Sequence, residues 1–125
     1  MTTSSITGDL VEACKKKLLQ TKSDVLNRVQ SARDEIVTEE KGGDEGDQTV
    51  RALQEAEFLS MNERLRKQLV EIEMALARIN SGTYGYCEET EEEIEEERLM
   101  AIPWTRLSIE GAEIRESLKK RFAGR

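Results

Sequence analysis

The sequence predicts an all-α protein: an antiparallel two-helix coiled-coil hairpin on a small globular base with a C-terminal helix. Three observations predict it. Apolar residues recur at sevens in two stretches of similar length, a glycine-rich break joins those stretches, and strand-like runs are scarce in a chain with one proline and few aromatic residues. Residues 1–8 are small and polar and read as a disordered N-terminus. Residues 9–40 read as the first helix. Leu18, Val25 and Ala32 stand seven apart, Val29 and Ile36 interleave, and the remainder is mostly charged or amide. A heptad seam with a polar remainder marks a coiled-coil arm. The run Lys41-Gly42-Gly43-Asp44-Glu45-Gly46-Asp47 cannot continue a helix and is short enough to reverse the chain. The second arm follows over about 48–80, with Phe58, Leu65, Ile72 and Ile79 in one seam and Met61, Leu69 and Leu76 in the other. The hairpin therefore covers 9–80 with its tip at 42–49, and the base covers 81–125. Within the base, 87–106 reads as compact and irregular or short-helical. A last helix spans about 107–122, with Leu107, Gly111, Ile114, Leu118 and Phe122 on a face expected to pack against the arms. Lys119, Lys120 and Arg121 suit its C-terminal end.

Composition excludes several function classes. Of the 125 residues, 37% are apolar and 36% charged, which fits exposed helices better than a deep core. No apolar run approaches the length of a membrane span or a signal peptide, so a cytoplasmic location is expected. There is no histidine, so the commonest general base and the Ser-His and Cys-His nucleophile pairs are missing; an enzyme is not expected. The net charge is −7, but residues 88–97 hold eight glutamates, and without them the rest of the chain carries +1. This near-neutral chain with one acidic block is unsuited to nonspecific binding of nucleic acid or anionic membrane. The block reads as a solvated face before a docking surface or a metal site. Cys14 and Cys87 lie far apart without a CxxC motif and read as reduced thiols.

The run Ala75-Leu76-Ala77-Arg78-Ile79-Asn80-Ser81-Gly82-Thr83-Tyr84-Gly85-Tyr86-Cys87, followed by Glu97-Arg98-Leu99-Met100-Ala101-Ile102-Pro103, resembles the DksA/TraR family of bacterial transcription regulators. The resemblance covers about residues 44–118. It implies a coiled coil on a small base, with bacterial RNA polymerase as partner. The coiled coil would enter the secondary channel and bring its tip near the catalytic centre. Counted back from Cys87, the family's tip motif DxxDxA falls on Asp44, Asp47 and Thr49. Both aspartates are present and the alanine is replaced. The resemblance makes Asp47 the functional tip acid and Asp44 its neighbour; an ordinary N-cap and a turn former are the alternatives.

Family members usually hold the base with a four-cysteine zinc site. Here those positions are Cys87, Thr90, Ser108 and Gly111, so three of four ligands are missing. Structural zinc needs four soft or nitrogen donors, and neither zinc nor any other cofactor is expected. Packing must then hold the base, with Tyr84, Ile94 and Trp104 as its anchors and Trp104 as core. The family's basic positions for the alarmone ppGpp fall on Glu71, Ile102 and Ala112, none basic; Arg98, Arg106 and Arg115 are near in sequence. A weak or absent ppGpp response is expected. The function expected is that of a monomeric regulator of initiation that binds RNA polymerase. The alternative is a coiled-coil adaptor that self-associates through Phe58, Leu65 and Ile72.

Overall fold

The computed structural model describes residues 6–41 and 48–123. The elements are α1 (Gly8–Lys41), α2 (Gln48–Ser81), α3 (Glu96–Ala101) and α4 (Ile109–Ala123). Among the described residues there is no strand, and a single isolated bridge pairs Tyr86 with Glu93. The fold is all-α, as the periodicity predicts. No helix among the described residues is long and apolar enough to cross a membrane.

The chain divides into two compact units. One comprises Gln20–Val70; the other comprises the residues up to Leu19 and from Glu71 onward. The first holds the coiled-coil pair of α1 and α2, where Val25, Ala32 and Leu65 are buried. These lie on the predicted heptad positions, with Phe58 and Met61 half-buried beside them. Several other apolar side chains of this unit face water. Leu53 is 61% exposed and Leu59 63%.

The second unit, the base, takes in more than residues 81–125, because the first turns of α1 and the last turns of α2 belong to it. Its core holds Leu10, Cys14 and Leu18 from α1 and Ile72 and Ala75 from α2. Tyr84, Cys87, Ile94, Leu99 and Pro103 come from the segment that follows. Spacings of four on α1 and three on α2 place these residues on one helical face. Each large aliphatic side chain buried here contributes about 1.5–3 kcal/mol. Residues 6–8 are structured rather than disordered: Gly8 opens α1, and Ile6 lies against Gly85.

Paired main-chain bonds end α2. The Thr83 N–H donates to the Arg78 carbonyl at 2.9 Å and the Gly82 N–H to that of Ile79 at 3.2 Å, with Gly82 at φ +78°. This is the glycine-dependent close of a helix. Two expectations for the base need correction. The last helix starts at Ile109, not 107, because Ser108 and Glu95 terminate it on that side. Of its predicted face only Gly111 is buried; Ile114, Leu118 and Phe122 are exposed, the last at 74%.

Candidate functional site

The base brings together the four residues that sequence separates into two pairs. The loop after α2 folds back on itself. The Cys87 N–H donates to the Glu92 carbonyl, the Glu91 N–H to that of Cys87, and the Ile94 N–H to that of Gly85, each at 2.8 Å. Glu91 takes a left-handed conformation, φ +62°, to close the turn. Ser108 then places the start of α4 against this loop, and the Glu88 N–H donates to the Arg106 carbonyl at 2.9 Å. The result sets Cys87, Thr90, Ser108 and Gly111 side by side.

At the centre is Cys87, a residue 2% exposed. Burial pushes its thiol up, but hydrogen bonds from the Ser108 and Thr90 hydroxyls and from the main chain of the same two residues outweigh burial. The thiol comes down to about 6. Hydrogen bonds to the charged form and a position at a helix N-terminus both favour thiolate. Gly111 closes the other side. A Cβ there would come well under 3.0 Å from the Cys87 Sγ and 3.3 Å from both the Ser108 Oγ and the Glu89 Cβ.

A zinc ion does not fit these residues. One thiolate, two hydroxyls and a glycine hydrogen are not a tetrahedral set of sulfur or nitrogen donors. Zinc–sulfur bonds of about 2.3 Å hold thiolates about 3.8 Å apart; here even the first side-chain atom at position 111 would be nearer than that to Cys87. No cluster of three or more His, Cys, Asp or Glu suited to a metal occurs among the described residues.

The packing residues divide. Tyr84 is buried, and its hydroxyl donates to the Pro103 carbonyl at 2.7 Å; burial pushes its phenol up. Ile94 is 1% exposed. Trp104 is half-buried rather than core, and Leu99 and Pro103 occupy the interior where it was expected. Trp104 instead helps line an open pocket of about 350 Å³, together with Glu71, Arg98, Ile102, Arg106 and Arg115. The three arginines converge here, and each is engaged. Arg106 grips both Glu71 carboxylate oxygens through its Nε and Nη2, at 2.8 and 2.7 Å. Arg115 holds Glu88 and Glu89, both at 3.1 Å. Arg98 donates to the Leu107 carbonyl at 2.8 Å.

The acidic block is therefore more than a solvated face. Glu88 and Glu89 pair with Arg115, and the Glu95 carboxylate accepts the Ile109 N–H at 3.0 Å. Sequence reasoning missed Glu95; its place just before a short helix carried no distinctive spacing. Of the tip residues, Asp44 and Asp47 lie outside the described residues. Thr49 is exposed in the first turn of α2.

Residues 82–117 match the family described as the prokaryotic dksA/traR C4-type zinc finger. The chain is 36% identical over 107 residues to the RNA polymerase-binding transcription factor DksA of Caulobacter vibrioides, covering 85% of this chain and 75% of that one. It is 37% identical over 113 residues to an uncharacterized protein of Aquifex aeolicus, covering 84% and 75%. Among solved structures, transcription factor DksA2 from Pseudomonas aeruginosa matches with a TM-score of 0.83 at 31% identity, covering 90% of this chain and 88% of that one. The likeness thus spans the helices as well as the base, and the chain belongs to the DksA/TraR family of transcription factors.

Proposed function

We propose that this chain regulates transcription initiation by binding RNA polymerase in its secondary channel, as a monomer, with Asp47 and its neighbour Asp44 as the acting tip. The observation that supports this most is the extent of the likeness. Relatives whose names state RNA polymerase binding match over 85% of the chain, coiled coil included, and not over the zinc-finger region alone. A carboxylate at the end of a coiled coil acts on a magnesium-dependent centre by competing for cation and water contacts, without catalysis of its own. No zinc takes part, since the donor set does not hold it.

The response to ppGpp is weak or absent in this reading. Of the family's basic positions, Glu71 and Ile102 line the arginine pocket and bring no positive charge to it. Arg106 and Arg115 already face carboxylates. A polyphosphate would have to displace those carboxylates to gain the charge-assisted bonds it needs.

The experiment is competition between this protein and a channel-occupying factor for purified polymerase, followed by promoter-complex lifetimes. Asp47→Asn keeps a capping oxygen and removes the charge. It is expected to leave binding and Tm unchanged while abolishing the effect on lifetimes. Binding that survives a saturating channel competitor would refute the proposal. Sedimentation at rising concentration separates the adaptor reading, which requires self-association through Phe58, Leu65 and Ile72.

A further inference from the structure

Beyond its first turn, α4 has little apolar packing to hold it down. Gly111 is its one buried residue and brings no side chain. From Glu113 to Ala123, Arg115 is the one residue that is not exposed. Its guanidinium reaches back to the loop, with Nη2 at 3.1 Å from one Glu88 oxygen and Nε at 3.1 Å from a Glu89 oxygen. The other Glu88 oxygen lies 3.9 Å from the Arg106 Nη1, and Arg106 in turn grips Glu71 on α2. Glu71, Arg106, Glu88, Arg115 and Glu89 thus alternate in sign and tie α4 through the loop to α2. The first turn of α4 sits directly on Cys87, since a Cβ at Gly111 would collide with its sulfur. The other thiol, Cys14, is buried against the Leu99 carbonyl instead.

We propose that α4 is a flap over Cys87, latched through Arg115 by this chain of charges rather than by packing, and that it opens on its own when salt screens the latch. Half-exposed ion pairs are individually weak and lose strength with salt, whereas buried apolar contacts do not. An element held in this way opens at a lower free energy than the core beneath it. The rival account holds α4 by its first turn alone. There the Ser108 Oγ accepts the Gly111 N–H and the Glu95 carboxylate accepts that of Ile109, both at 3.0 Å. On that account α4 opens only with the core, and Arg115 adds nothing.

The test is hydrogen exchange of the full chain, read by mass spectrometry in sodium chloride from about 0.01 M to about 1 M, where the screening length falls from about 30 Å to about 3 Å. Exchange of the α4 amides is expected to quicken about threefold to tenfold, while the amides around Ile72 hold their rate. Arg115→Gln should show the quickened exchange already at low salt and respond little to more. Glu88→Gln with Glu89→Gln should do the same, and should add little to Arg115→Gln, because the three act as one unit. Arg115→Lys, which keeps the charge and loses the fork, should fall between parent and Arg115→Gln. Iodoacetamide labelling, read separately at each thiol, should quicken with salt at Cys87 and not at Cys14. The proposal is overturned by α4 exchange that ignores both salt and Arg115→Gln, by exchange that rises in step with the amides around Ile72, or by Cys87 labelling that stays constant while α4 opens.

Discussion

Cys87 makes this protein's stability depend on pH in a window where few other groups titrate. The folded thiol sits at about 6, below the ordinary value of about 8.5. Its contribution is therefore complete above the unfolded value and falls as pH drops toward 6, beyond which it is gone. The chain has no histidine, so no imidazole obscures the slope. Tm is expected to rise between pH 6 and pH 8.5, and Cys87→Ser to flatten that rise; calorimetry across the range checks it. Tyr84 gives a second expectation. Tyr84→Phe leaves the buried Pro103 carbonyl without its 2.7 Å donor and should cost about 1 kcal/mol. A denaturation midpoint equal to that of the parent would show the bond to be dispensable. At this scale, legibility followed chemistry. Tyr84 and Ile94 were readable as core from their apolar character. Trp104 was misjudged because a large ring satisfies itself at the rim of a pocket as readily as inside, while the neighbouring Pro103 fills the interior.

At the scale of elements, the heptads were legible because side chains seven apart share a face whatever lies opposite. Leu18, Val25 and Ala32, and Leu65 and Ile72, are the buried ones. The same logic misled on α4. Spacings of three and four say that Ile114, Leu118 and Phe122 share a face but not that anything covers it. Loop-to-helix contacts carry no period at all. The meeting of Cys87 with Ser108 was accessible only through the family's motif, and the seat of Ile6 on Gly85 through nothing in the sequence. That seat is testable. Gly85 has φ +96°, and a Cβ there would overlap the Ile6 side chain. Gly85→Ala combines backbone strain with overpacking and should cost about 1–3 kcal/mol. Trimming Ile6 to Ala in the same chain should relieve only the overpacking part, which a double-mutant melting cycle resolves.

Across the whole molecule, stability is concentrated in the base. Its core is continuous from Leu10 to Pro103, whereas Gln20–Val70 buries three side chains outright among those described. Ile72→Ala, at 0% exposure, should cost about 2–5 kcal/mol. Leu53→Ala, at 61% exposure, should stay within about 0.5 kcal/mol. Urea melts of the two variants make the comparison. The helical class and the family were both legible from one sequence, the first from periodicity and the second from the run ending at Cys87.

The Cys14 sulfur lies 3.7 Å from the Leu99 carbonyl oxygen, across 85 positions of chain. During synthesis, therefore, the opening turns of α1 emerge long before the residues they must meet. Each helix can wind as it leaves the ribosome, yet the base cannot close until the stretch through Pro103 has cleared the exit tunnel. The contact that closes the base is thus strongly non-local in sequence. Until then Leu10, Cys14 and Leu18 stand as an uncovered apolar stripe, the segment a chaperone would find first.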